Sequence, residues 1–222
     1  MVFVFLLTNT YFCNTISYSM NFRVPKIIRK LYPSDVLWEI DSQSSIFLTF
    51  DDGPHPIVTP WVLKQLEKYN AHATFFCLGK NVEQYPETYQ MIIDAGHKVG
   101  NHTYSHQKGF RMSTLRYLED VSFASNFINS ELFRPPYGQI NLSQIKRLSQ
   151  LYRIVMWTVM SRDYSLHVDG PTCFRNATKG VLPGSIIGFH DSLKSFDNLK
   201  YALPRVLEYF NNQNIHLRSI DL

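Results

Sequence analysis

Apolar residues fall along this chain in short branched or aromatic runs, separated by longer stretches of mixed apolar and polar character. The runs at 46–50, 73–78, 98–101, 132–134, 153–159, 185–190 and 214–220 read as strands, bounded by turn residues. Helical spacing occupies Val58–Tyr69, Val82–Ala95, Ser113–Asn129, Leu142–Gln150 and Asn198–Asn211, and Gly96 fits a helix stop before the third strand. From residue 46 onward the two patterns alternate, which predicts a parallel α/β sheet with right-handed crossovers. Seven such strands without an internal linker predict a barrel or near-barrel in a single domain, residues 44–222.

The first run ends in "TFDDGPHP", residues 49–56, with Asp51 and Asp52 at a strand's carboxyl end and Gly53-Pro54 opening a loop. Asp-Gly is a common turn dipeptide, which explains one aspartate and leaves the other without a cause. "NHTYSH" follows the third strand and sets His102 and His106 four residues apart. On one helical turn or in a compact loop both imidazoles can face one point, as a divalent metal requires, although such pairs also arise by chance. "FRPPYG" follows the fourth strand, "WTVMSRDYS" the fifth and "GFHD" the sixth. All five clusters fall at strand carboxyl ends, the face where the loops of a barrel enzyme converge. Turn chemistry alone does not account for five such placements.

Composition narrows the reading further. With 45% hydrophobic and 18% charged residues the 222-residue chain is neither disordered nor collagenous, and it is long enough for a substantial core. The 14% aromatic content suits stacking against flat substrates, and core packing explains it equally well. A net charge of +4 with no basic patch interleaved by aromatics gives no argument for a nucleic-acid partner. Cys13, Cys77 and Cys173 are odd in number and widely spaced, so no disulfide framework or Cys-x-x-Cys zinc site is expected, and Cys77 reads as a small buried hydrophobe.

At the amino terminus "VFVFLL" is far shorter than the roughly 20 residues of a membrane-spanning helix, and it lacks the flanks of a signal peptide. Residues 1–19 read as a leader or an over-extended start, and a start at Met20 implies a cytoplasmic protein. Residues 20–43 read as an extension whose basic and apolar residues form a short helix packed on the domain, or one that touches an anionic membrane surface and so associates with the cell envelope.

"TFDDGP", "HTYSH", "RPPYG", "SRDY" and "FHD" resemble, in order and spacing, the polysaccharide deacetylases (carbohydrate esterase family 4, the NodB-homology domain), over roughly residues 44–220. The resemblance implies a distorted (β/α) barrel with about seven parallel strands, a divalent metal, usually zinc, and hydrolysis of N-acetyl groups from a carbohydrate partner such as chitin-like oligomers or peptidoglycan glycan. It implies that Asp52, His102 and His106 are ligands and that Asp51 is the general base, oriented by a bidentate pair with Arg134. Two histidines and a carboxylate suit zinc, cobalt or nickel better than magnesium or calcium. The backbone N–H of Tyr137 would stabilise the oxyanion, and His190, oriented by Asp163, would be the general acid. His55, His72, His97, His167 and His216 match no family role, and His55 is close enough to line the rim.

Three positions depart from the family pattern. Met160 stands where an aspartate is usual, Tyr164 where tryptophan is usual, and Gly188 where leucine or another branched apolar residue is usual. Gly188 and Tyr164 would widen the acyl pocket and relax acetyl preference, unless Phe189 or Met160 refills the space. The chemistry-bearing positions all survive, which argues against a non-catalytic carbohydrate-binding relative. An O-acetyl esterase on xylan-like chains, or an amidase on small cyclic amides, would use the same metal site.

Overall fold

The computed structural model of the protein describes residues 23–221. A one-turn helix α1 (Lys26–Arg29) precedes eight strands: β1 (Ser45–Asp51), β2 (Thr74–Cys77), β3 (Lys98–Asn101), β4 (Leu132–Phe133), β5 (Arg153–Ile154), β6 (Val159–Met160), β7 (Ile186–His190) and β8 (His216–Arg218). Every residue of β1 is buried, as a strand covered on both faces requires. All ladders are parallel, in the order β5-β4-β3-β2-β1-β7-β6, with β8 beside the first residues of β1. Among the described residues β5 and β6 do not pair with each other, so the sheet curls into a half-barrel open along one seam.

The crossovers are α2 (Val58–Glu67), α3 (Gly79–Gln84), α4 (Pro86–Asp94), α5 (Thr114–Ala124), α6 (Leu142–Leu148), α7 (Gly170–Thr178) and α8 (Phe196–Asn211). On β1 Phe50 stacks between Phe75 and Phe189, with ring centroids 5.0 and 5.9 Å away. Against this layer α8 buries Leu199, Leu203, Val206, Leu207 and Phe210. Each such side chain contributes about 1.5–3 kcal/mol on leaving water, which makes β1, β7 and α8 a stiff base for the loops above.

Four expectations change. The single strand at 153–159 is two short ones, because Val155 bridges to Leu37 of the amino-terminal extension and Met156 N–H donates to Leu37 O at 2.7 Å. The helix at 82–95 breaks at Tyr85, which leaves helical dihedrals just before Pro86 starts α4. Helix α7 lacks a sequence signal strong enough to be expected, yet Asp169 caps it by accepting from Thr172 N–H. Helix α1 buries none of its residues, and Ile27 is 73% exposed. The extension attaches on both sides of α1, through the Arg23–Val159 bridge before it and through Val36 and the Leu37–Val155 and Glu39–Ser185 bridges after it. The leader, residues 1–19, and Cys13 lie outside the described residues. Among the described residues no helix is long and apolar enough to cross a membrane.

Register decides what meets above the core. Across β1 and β7, Asp51 pairs with His190 and Thr49 with Gly188; across β6 and β7, Met160 pairs with Gly188. Partners in a ladder, and residues two apart on a strand, share a face. Thr49, Asp51, Met160, Gly188 and His190 therefore all face one side, with Asp51 and His190 in the uppermost layer.

Candidate active site

Asp51 ends β1, and the chain turns at Asp52, whose φ of 76° sends the two carboxylates in different directions. The histidines come from a compact loop after β3, not from a helix. Asn101 Oδ1 accepts from Thr103 N–H at 2.8 Å, and Thr103 Oγ1 accepts from His106 N–H at 3.0 Å. From α5, Asp120 accepts from the Tyr104 and Ser105 N–H groups. Thr103 and His106 adopt φ values of 67° and 60°, a conformation that these local bonds hold in place.

His102 is buried, and its Nδ1 lies 2.7 Å from Arg134 O. A carbonyl only accepts, so Nδ1 carries the hydrogen and Nε2 keeps its lone pair. Burial, reinforced by His106, lowers the His102 pKa to about 4, which leaves a neutral imidazole at pH 7. Burial alone would raise the Asp52 carboxyl, but the neighbouring histidines outweigh it and hold it below the usual carboxylate range. Asp52 Oδ1 lies 3.1 Å from His106 Nε2 and 3.6 Å from His102 Nε2, and it is buried without a well-formed hydrogen bond. Ligands about 2.0–2.1 Å from one tetrahedral ion stand about 3.3 Å apart. The donor set and spacing of Asp52, His102 and His106 thus fit a divalent metal, and the three offer ligand atoms all within 4.8 Å of one another.

Arg134 is fully buried and approaches Asp51 from below. Its Nη1 donates to Asp51 Oδ1 and to Thr49 Oγ1, each at 2.7 Å. Nε and Nη2 donate to the carbonyls of Val155 and Met156, and the guanidinium lies 4.1 Å from the centre of the Phe76 ring. The expected bidentate pair is therefore a single bond, because the backbone and Thr49 use the rest of the fork. Asp51 Oδ2 is left for other chemistry.

On the far side, buried Asp163 grips His190 twice: Oδ2 accepts from its backbone N–H and Oδ1 from Nδ1–H, both at 2.8 Å. Burial alone would lower the His190 pKa; the Asp163 charge and hydrogen bond, with help from Asp52 and Asp51, reverse that and raise it to about 9. Tyr164 sets its ring edge-on to His190 with centroids 4.8 Å apart, and Tyr137 lies 4.6 Å from the His106 ring. Both tyrosines are exposed, with Lys108 Nζ 4.7 Å from the Tyr137 ring and Lys194 Nζ 5.7 Å from that of Tyr164. The backbone of Tyr137 has φ 59°.

Gly188 does not open a void. A Cβ there would meet Met160 Cε at 2.8 Å and Sδ at 3.0 Å, so Met160 occupies the space that glycine leaves. Of the two readings of this position, refilling by Met160 is the one observed. Thr49, the partner shared by Arg134, and Asp191 lie within the "TFDDGP" and "FHD" clusters, which gave neither of them a role of its own. Asp191 is fully buried, and burial with the charges of Asp52 and Asp51 pushes its carboxyl up to about 7. His55 caps α2, its Nδ1 accepting from the N–H groups of Ile57 and Val58, and His97 is a packing residue in contact with Phe75.

A parallel half-barrel with an aspartate and two histidines at its carboxyl face, flanked by an Asp–Arg pair and an Asp–His pair, defines a candidate metallohydrolase. The sequence matches the polysaccharide deacetylase family over residues 39–153, and the chain belongs to that family. The matched region contains Asp51, Asp52, His102, His106 and Arg134; the fold brings in Asp163 and His190 from beyond it. The chain is 35% identical over 158 residues to a peptidoglycan-N-acetylglucosamine deacetylase of Bacillus cereus, covering 68% of this chain and 57% of that protein. It is 34% identical over 164 residues to a chitooligosaccharide deacetylase of Azorhizobium caulinodans, covering 68% and 75%. The solved structure of the peptidoglycan deacetylase PdaC from Bacillus subtilis superposes with a TM-score of 0.73 at 30% identity, covering 82% of this chain and 90% of that one.

Proposed function

We propose that the protein hydrolyses N-acetyl groups on amino-sugar polymers or oligomers, releasing acetate, with one divalent metal, zinc, held by Asp52, His102 and His106. The observation that carries this reading is the convergence of an Arg134-bound Asp51 and an Asp163-bound His190 on either side of those three residues. The relatives' names support an amino-sugar substrate, chitin-like or peptidoglycan glycan, and the latter points to the cell envelope. Exposed Tyr137 and Tyr164, each with a lysine nearby, offer a sugar ring both stacking and polar contacts.

When bound, the metal supplies polarisation of the acetamide carbonyl and a lower pKa, about 7, for water. Asp51 Oδ2 takes the proton of the attacking water, while Arg134 holds Oδ1 and so fixes the orientation of the carboxylate. The backbone N–H of Tyr137 donates to the oxyanion as the water oxygen bonds to the acyl carbon. His190 Nε2–H delivers a proton to the departing nitrogen, and the C–N bond breaks to give acetate and the free amine. Asp163 keeps His190 in the tautomer and charge state that this step needs.

This arrangement predicts a titration. In the metal-free protein the His190 imidazolium should persist to about pH 9, and Asp163→Asn should lower its midpoint, since burial is then opposed only by Asp52 and Asp51. Because the folded value is raised, the stabilisation is full below about pH 6.5 and is lost as pH rises through about 9. Side-chain ¹⁵N chemical shifts across pH 5–10 read both values; a wild-type midpoint below 6.5 contradicts the Asp163 pairing.

Met160 in the Gly188 space predicts ordinary acetyl preference in the wild type. Met160→Ala should raise kcat/KM on an N-propionyl oligosaccharide relative to its N-acetyl twin by about 10-fold, the scale of one methylene in an apolar pocket. Gly188→Leu should instead collide with Met160 and lower stability by about 1–3 kcal/mol. An unchanged acyl ratio in Met160→Ala would remove Met160 from the pocket wall.

Substrate is tested by incubating the zinc-loaded protein with N-acetylglucosamine oligomers, peptidoglycan and acetylxylan, and measuring released acetate. Release from the amino-sugar substrates supports the proposal. Release from acetylxylan alone would replace it with an O-acetyl esterase.

A further inference from the structure

The turn that bears Asp51 and Asp52 is held in an unfavourable shape. Asp52 has φ 76°, a conformation that a residue with a side chain keeps only when its surroundings determine it from several directions. Two supports come from the start of α3 after β2: Leu78, its N-cap, donates its N–H to Gly53 O at 2.9 Å, and Asn81 Nδ2 donates to Asp52 O at 2.6 Å. From the opposite side, at the end of β7, we propose that Asp191 is a positioning residue, which presses its carboxyl against Gly53 and so aims the Asp51 and Asp52 carboxylates at their work.

Asp191 reaches the turn at three points. Its own N–H donates to Asp51 O at 3.1 Å. Its carboxyl lies against Gly53 so closely that a Cβ at that position would stand 2.1–2.5 Å from the carboxyl carbon and both oxygens, so only glycine fits there. Its Oδ2 accepts from Thr59 Oγ1–H at 2.5 Å, and the same Thr59 Oγ1 accepts from His55 N–H at 2.8 Å, which ties the end of the turn to the same carboxyl. Asp191 is 0% exposed, and its Oδ1 has no hydrogen-bond partner among the described residues. A buried carboxyl with an unpartnered oxygen costs stability that an apolar residue of similar size does not. Its contacts serve the turn and the first turn of α2, so that cost is attached to the geometry of the site.

The proposal rests on the metal-dependent reading above, and its test separates the two. Zinc affinity of the metal-free protein is measured by competition with a chromophoric chelator, the cobalt-loaded protein is examined by its visible absorption spectrum, and kcat and KM are measured on N-acetylglucosamine oligomers. Thr59→Val keeps shape and removes both hydroxyl bonds. It should weaken zinc binding by about 10-fold or more, shift the cobalt bands and lower kcat by about 10–100-fold, the scale of losing a partner behind a metal ligand, with KM little changed. Thr59→Ser, which keeps the hydroxyl, should restore all three. Asp191→Ala should act in the same direction more strongly, and adding Gly53→Ala to it should cost little more, since the group that Gly53 must clear is then gone. Lower melting temperatures in Thr59→Val and Asp191→Ala, with wild-type zinc affinity, cobalt spectrum and kcat, would show a structural role only and overturn the proposal. A wild-type protein that binds no zinc and releases no acetate overturns the reading beneath it, and the proposal with it.

Discussion

Asp51→Asn is expected to leave the metal bound and to abolish turnover. The substitution preserves Oδ1 as an acceptor for Arg134 Nη1, so the buried guanidinium keeps its bonds to position 51, to Thr49 and to the carbonyls of Val155 and Met156. What disappears is the second carboxylate oxygen, which has no other role and can take a proton; an amide cannot. The expected loss in kcat is at least the ~10²–10⁴-fold of a missing general acid or base. Metal content by mass spectrometry and acetate release are read on the same sample. Loss of metal together with activity would mean that the roles of Asp51 and Asp52 are exchanged.

Removing a histidine should do the reverse, taking metal and activity together. His106→Ala is the cleaner case, because the His106 side chain is 21% exposed and its removal opens little of the core. Its zinc affinity should fall well beyond the ~10–100-fold typical of losing a group that merely supports a ligand. His102→Ala should lose metal as severely and also lose stability. His102 is buried, and its Nδ1–H satisfies Arg134 O, so the variant leaves a cavity and an unpaired carbonyl in the layer that supports Asp51. Denaturant titration of the metal-free variants separates the two effects: His106→Ala should unfold near wild type and His102→Ala earlier. Full zinc stoichiometry in either variant would remove that histidine from the ligand set.

The site was legible where function and local pattern coincide in a few consecutive residues. An apolar run ending in Asp51-Asp52 announces a strand end with more charge than a turn needs, and "NHTYSH" announces paired imidazoles. The departures were harder to weigh. Gly188 and Met160 are 28 positions apart in sequence, and only the β6–β7 register places the Met160 sulfur in the space that Gly188 leaves. Thr59 and Asp191 are further apart still, joined by one hydrogen bond between residues separated by 132 positions. A bidentate Asp51–Arg134 pair was a fair expectation from side-chain chemistry alone. The backbone carbonyls that claim Nε and Nη2 belong to a segment whose strand breaks because Leu37, far upstream, pairs into it. Local pattern and the family resemblance thus name the groups proposed to act, and tertiary contacts determine which atoms of those groups are free.

The claim that ties these observations together is that one metal at Asp52, His102 and His106 works with Asp51 to hydrolyse an N-acetyl group. Its most direct test is a titration of chelator-stripped protein with zinc, following acetate released from an N-acetylglucosamine oligomer against metal bound per chain. Activity should rise in proportion to occupancy and reach its full value at one zinc per chain in the wild type. Asp51→Asn should bind the same single zinc with acetate release at background throughout. Acetate release that is undiminished in the stripped protein, or that survives in Asp51→Asn at full occupancy, would contradict the account.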